Sequence, residues 1–206
     1  MSDDALRAAR ERAANIDPAA AAVAIGADYS GDEGGGNGDG AAGGRFSVRF
    51  LGSDVTISYP GFVVTPSAWG MPPHVMALLI YHLAICDGTP PSGEWVSFGD
   101  LPSGDFYVSA FRGYTGRVLA ERFEADPNAL GSAMLALGAK ELPGYADRAW
   151  TIDALPRVPV AVLWWNADDE FSARADLLFD STALHHLPLD GCAVLGSWLT
   201  ALLVSD

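Results

Sequence analysis

Residues 158–165, VPVAVLWW, constrain the fold more than any other stretch of this 206-residue chain. A continuous apolar run of eight, rich in β-branched and aromatic residues and followed by the polar NADDEF, reads as a strand buried on both faces. The RADLLFD that follows, residues 174–180, is its expected antiparallel partner. Only a short acidic turn separates the two, too little chain for a crossover helix.

Such a strand needs apolar layers around it. MPPHVMALLIYHLAICDG, residues 71–88, opens on Pro72 and Pro73 and is apolar nearly all round, so it is expected to be a central buried helix. DGCAVLGSWLTALLVS, residues 190–205, sets Cys192, Leu195, Leu199 and Leu202 on one stripe and should close the chain as a helix capped by Asp190. At the other end, DDALRAARERAA predicts a polar helix with Asp in its first turn. Asp17, Pro18 and Gly26 then frame a second helix as cap, first position and terminator.

RFSVRFLGSDVTISYP alternates strictly. Phe46, Val48 and Phe50 mirror Val55, Ile57 and Tyr59 across a Gly-Ser-Asp turn, which predicts a hairpin that GFVV extends. GEWVSFGDLPSGDFYVSAF reads as one or two short strands around a Pro-Ser-Gly turn. YTGRVLAERF and DPNALGSAMLALG read as a helix pair, the second capped by Asp126. DRAWTIDAL alternates as a strand, and STALHHL as a short helical turn capped by Asp180 or Ser181. Strands and helices mix without a βαβ rhythm. The expectation is a single α+β domain, with an antiparallel sheet packed against the central helix and the C-terminal helix. It divides into an N-terminal helical segment at 1–29, a flexible Gly-rich loop at 30–44 and a core at 45–206. The loop is not a phosphate loop, since no apolar strand feeds it and no Lys-Ser/Thr follows it.

Charge narrows the function classes. The net charge is −14, and eleven of the twelve basic residues are Arg, Lys140 being the exception. No basic stripe exists to displace counterions from nucleic acid. No apolar run reaches membrane-spanning length, and no secretory leader opens the chain. A carboxylate-rich, lysine-poor surface suits a salt-in cytoplasm, so a halophilic archaeal protein of the cytoplasm is expected. Cys86 and Cys192 fit no zinc spacing and are expected to be buried free thiols.

That charge also raises the background against which acidic clusters are judged. Asp168, Asp169 and Glu170 fall at the turn between the two strands, with Asp176 and Asp180 on the second. Converging carboxylates would suit a hard cation, whereas turn and cap roles need no convergence. No calcium-loop spacing or nucleophile elbow is present, and no metal ligand set is assigned. His185 and His186 are adjacent, so on a helix they diverge. His74 and His82 lie two turns apart on the central helix. Trp164 and Trp165 point to opposite faces of their strand, so one of them is free to line a groove.

Three blocks carry a resemblance: WVSFGDLPSG, PRVPVAVLWWNADDEF and LLFDSTALHHLPLD, in that order, preceded by an Asp-Pro helix, a hairpin containing FLG and a helix containing YHL. Together they make the chain similar to the domain-of-unknown-function family 3786 of bacteria and archaea, over about residues 15–204. The resemblance implies no activity. Some relatives carry a four-cysteine iron–sulfur module or an association with corrinoid or one-carbon metabolism. This chain lacks those cysteines, carries an insertion at 30–44, and has Ser172 where proline is usual. The leading expectation is a non-catalytic binding or accessory domain for a protein or cofactor-bearing enzyme, with no cofactor assigned to the chain itself and the oligomeric state left open. Its ligand- or partner-contacting candidates are Asp168, Asp169, Glu170, Asp180, His186 and Trp165. One alternative is a metal-assisted hydrolase using Asp168, Asp169, Glu170 and Asp180 as ligands with His186 as base. A second is a tetrapyrrole or corrinoid-type binder with an aromatic pocket near His74 or His82.

Overall fold

The computed structural model describes residues 2–31, 43–65 and 70–205. Most of the Gly-rich stretch, 32–42, lies outside the described residues, and so does the flexibility expected of it. The chain begins with α1 (Ser2–Ala13) and α2 (Pro18–Ile25). Asp17 caps α2 by accepting from the N–H groups of Ala19 and Ala20, and Gly26 ends it in the left-handed region at φ 70°. Four antiparallel strands follow, β1 (Asp28–Gly31), β2 (Gly44–Phe50), β3 (Ser53–Tyr59) and β4 (Val64–Thr65), ordered as in the sequence. The expected pairing holds: Phe46 faces Ile57 and Val48 faces Val55. The buried helix α3 (Pro73–Ile85) comes next and packs against α1.

The second sheet is built from β5 (Trp95–Ser97), β6 (Lys140–Glu141), β7 (Arg148–Leu155), β8 (Val158–Trp165) and β9 (Arg174–Asp180), in the order β5-β9-β8-β7-β6 and antiparallel throughout. The apolar run is therefore the central strand. Its inner face, Val158, Val160, Val162 and Trp164, enters the main core. Its outer face joins a smaller apolar cluster of Ala149, Ala161 and Leu163, packed under Trp95, Trp165 and Leu178. Burial on both faces is reached without a helical layer outside, because flanking side chains fold over the small residues.

Helices α4 (Val108–Tyr114), α5 (Gly116–Phe123), α6 (Pro127–Ala136) and α7 (Leu189–Val204) complete the fold. α5 lies directly on β9; a Cβ on Gly116 would run into the Ala175 carbonyl, so this close approach requires glycine. The molecule is a single α+β domain with antiparallel sheets and a C-terminal helix.

Three expectations are corrected. The strands expected across residues 93–111 stop at Ser97, and the segment continues as a short 3-10 turn and then helix α4. Phe111 stacks on Phe98 at 4.2 Å between ring centroids, and the Thr115 hydroxyl donates to the Phe111 carbonyl. The alternating aromatics thus yield to helical packing on the core. The C-terminal helix starts at Leu189 with Pro188 as its cap, so Asp190 sits in the first turn instead of capping. The turn at Ala183–His185 is capped neither by Asp180 nor by Ser181, since the residue before it is Thr182.

Candidate functional site

The β8–β9 hairpin carries polar candidates at both ends. Trp165 pairs with Arg174 at the turn, and Val160 with Phe179 near the base. From Arg174 to Asp180 the strand rises about 20 Å, so the candidates fall into two separate places.

At the turn, each bond has a local structural reason. Asp168 accepts from the backbone N–H groups of Glu170 at 2.9 Å and Phe171 at 2.8 Å, and its own N–H donates to the Phe171 carbonyl. This is an Asx-type turn, and the two donors hold its carboxyl below the ordinary range. Asn166 donates to the Asp147 carboxylate from its backbone and its amide, and accepts from the Trp164 indole. The N–H of Ala173 donates to the Glu124 carboxylate, tying the turn to α5. Asp169 and Glu170 are exposed and make no side-chain bond among the described residues. So braced, the turn holds Phe171 69% exposed. Phe171, Trp165, Ala173, Asp147 and Asp168 line an open groove of about 630 Å³. The Arg174 guanidinium lies 3.9 Å over the Trp165 ring on its flank.

At the base, Asp180 has no exposed surface. It accepts from the backbone N–H groups of Ser92, Gly93 and Thr182 and from the hydroxyls of Ser92 and Thr182, at 2.6–3.0 Å. Burial pushes its carboxyl up, but the five donors outweigh that and bring it down to about 2. The neighbouring bonds continue this seam. Ser181 N–H donates to the Glu94 carbonyl, and the His185 ring Nδ1 lies 2.7 Å from the Asp87 carboxylate. His185 holds Asp87 well below the usual carboxylate range.

Deeper in, His186 Nδ1 lies 3.1 Å from Cys86 Sγ, and the thiol also reaches the Ala24 carbonyl. His82 Nδ1 faces the His186 carbonyl at 3.1 Å, so Nδ1 carries the proton. Burial lowers His82 to about 4, lowers His186 and raises the Cys86 thiol. Both shifts disfavour the charged forms, so the Cys86–His186 contact lacks the lowered thiol pKa of an activated cysteine nucleophile. Cys192 is buried with its thiol pushed up to about 12, while Cys86, expected to be buried, is half-buried.

The structure therefore brings His186, Asp180 and His82 together at the base with Cys86 and Asp87, which were not among the expected site residues, and keeps Asp168, Asp169, Glu170 and Trp165 apart at the turn. The carboxylate convergence that the hydrolase alternative needs is not formed. Among the described residues no group of three or more His, Cys, Asp or Glu is placed to hold a metal ion. Asp176 pairs with Arg112 at 3.4 Å instead. Among the described residues, His74 lines a cleft of about 70 Å³ and His82 is packed in the core, where a macrocycle would need far more room. Of the residues sequence reasoning missed, Cys86 carried a usable signal, since it stands four positions after His82, just past the end of the same helix. Phe171 carried a weaker one, as an aromatic isolated in a polar turn.

The three sequence blocks now have a spatial meaning. WVSFGDLPSG and LLFDSTALHHLPLD meet where Trp95 pairs with Asp180, while the middle block supplies β8 and the groove. A family model described as a domain of unknown function (DUF3786) matches residues 17–201. The chain belongs to the DUF3786 family. No curated protein and no solved structure matches it. The DUF3786 match spans both ends of the hairpin and every strand among the described residues. Among the described residues no helix is long and apolar enough to cross a membrane.

Proposed function

We propose that this DUF3786 chain is a non-catalytic binding domain that docks a partner protein, such as a cofactor-bearing enzyme, through the groove at the β8–β9 turn. The observation that carries this reading is Phe171, an aromatic ring 69% exposed on a turn braced by Asp168, Asn166 and Glu124 beside a groove of about 630 Å³. An apolar anchor on a pre-organised surface is what association requires, because little conformational freedom is lost on docking. The base of the hairpin supports the same reading from the other side. Its carboxylates and Cys86 are engaged within the chain, which suits a scaffold better than a reaction centre. The proposed setting is the cytoplasm of a halophilic archaeon, supported by the net charge of −14 and the near absence of lysine. That charge also favours a protein partner over nucleic acid.

Site-specific photocrosslinking in cells tests the proposal. A benzoylphenylalanine at position 171 is expected to yield a discrete crosslinked species that is absent when the probe replaces Val23, which is 75% exposed on α2. No adduct at 171, or the same adducts from both positions, would remove the docking surface. Hydrolysis of generic esters or phosphoesters by the purified protein with Mg²⁺ or Mn²⁺, abolished by Asp168→Asn, would replace it with the enzyme reading.

A further inference from the structure

We infer that the groove takes an extended cationic segment of a partner protein, one that alternates Arg or Lys with aliphatic side chains. This inference rests on the docking reading above and names the partner's chemistry.

The groove sets an acidic rim around an apolar floor. Trp165, Phe171 and Ala173 supply the apolar surface. Around it stand four carboxylates, Asp147 and Asp168 on the lining and Asp169 and Glu170 on the turn, against one guanidinium. That guanidinium, Arg174, stands over the Trp165 ring. Asp147 and Asp168 accept bonds from neutral donors only, so their charge is retained. Asp169 and Glu170 have no counter-charge among the described residues. An acidic segment would meet like charge here at a cost in both rate and affinity. A purely apolar one would leave the rim carboxylates to be desolvated without partners. A strand-like segment that turns alternate residues to opposite sides satisfies both halves of the surface, with aliphatic groups on Phe171 and Trp165 and cations towards Asp169 and Glu170.

The experiment compares three fluorescein-labelled peptides by fluorescence anisotropy on the full chain: alternating Arg and Leu, alternating Arg and Gly, and alternating Glu and Leu. The Arg–Leu peptide is expected to bind at least about tenfold more tightly than either of the others. Phe171→Ser should weaken it about tenfold. The double change Asp169→Asn with Glu170→Gln should weaken it similarly and flatten its dependence on salt. Asp54→Asn, on the hairpin of the other sheet, should leave it unchanged. Equal binding of the Arg–Gly peptide, or indifference to Phe171→Ser, would reduce the effect to diffuse attraction by an acidic protein and overturn the inference. Preference for the Glu–Leu peptide would overturn it as well. So would self-association in sedimentation that Phe171→Ser abolishes, since the occupant would then be a second copy. If no peptide binds but position 171 still crosslinks a discrete species in cells, the cationic segment falls and the docking reading stands. If position 171 crosslinks nothing, both fall.

Discussion

At the turn of the β8–β9 hairpin, Asp169 and Glu170 stand in solvent and Asp168 shapes the backbone from the surface. At its base, Asp180 has no exposed surface and accepts five hydrogen bonds. Both ends belong to one pair of strands and use the same chemical group. The difference lies in which donors surround the carboxylate. Where backbone N–H groups and hydroxyls converge from two chain segments, the carboxylate fixes those segments to each other. Where donors come only from the next three residues, it fixes a turn. Where none come, its charge faces outward and remains available to a partner.

The largest difference between the two ends is expected for Asp180→Ala. The change leaves the N–H groups of Ser92, Gly93 and Thr182 without their acceptor and detaches the 87–94 loop from β9. Charge-assisted bonds of this kind set the expected loss at about 3 kcal/mol or more. Urea unfolding of the variant measures it, with Asp169→Ala as the matched control at the turn. A loss below about 1 kcal/mol for Asp180→Ala would show that the base is no more constrained than the turn.

Acid titration separates the groups within the base. His82 is held neutral in the fold, with its pKa lowered to about 4 from an ordinary 6.5. The unfolded chain therefore takes up a proton that the folded chain refuses as pH falls from about 6.5 towards 4. Stability is lost across that window, by up to about 3 kcal/mol from His82. His186, lowered in the same direction, adds to it. Asp180 acts in a lower window. Its depressed pKa contributes stability above about pH 4, which is lost as pH falls towards 2. In His82→Gln the amide can still donate to the His186 carbonyl, so the variant should show a shallower decline between pH 6.5 and 4 and an unchanged one below. Unfolding curves at closely spaced pH values decide the matter; a His82→Gln profile parallel to the parent would place the titration elsewhere.

Much of the hairpin was legible in sequence because its signals are local. Alternation, turn residues and the continuous apolar run sufficed for β2, β3, β7, β8 and β9, and the pairing of β8 with β9 followed from the short turn. The cluster of His82, Cys86 and His186 was not legible as a cluster. It joins residues about a hundred positions apart, and neither neighbourhood contains a pattern that names the other. The strand expected to run on to Phe111 failed for a different reason. Its Phe, Tyr and Val residues favour strand, yet Val108 and Phe111 turn inward on α4, and Gly104 before it and Thr115 after it are buried at the same spacing. There tertiary packing on Phe98 overrode propensity. Asp168 was readable as a turn residue, whereas the exposure of Phe171 depends on how Glu124 and Asn166 brace the loop from elsewhere in the chain.

The smallest effects belong to the turn, and their ranking tests whether its carboxylates divide as the bonding pattern says. Asp168→Ala removes the acceptor of two backbone N–H groups, both exposed to water that can replace it. The expected cost is a fall in melting temperature of about 2–4 °C. Asp169→Ala and Glu170→Ala remove no bond and relieve like-charge crowding in a chain of net charge −14, so each should fall within about 0.5 kcal/mol of the parent. Raising the salt concentration should shrink even that residue, since exposed charges are screened over a Debye length of about 10 Å or less. Thermal unfolding of the three variants at low and high salt reads the order directly. If Asp169→Ala or Glu170→Ala destabilised the chain as much as Asp168→Ala, those side chains would be holding the turn. The surface carboxylates proposed to meet a cationic segment would then already be engaged.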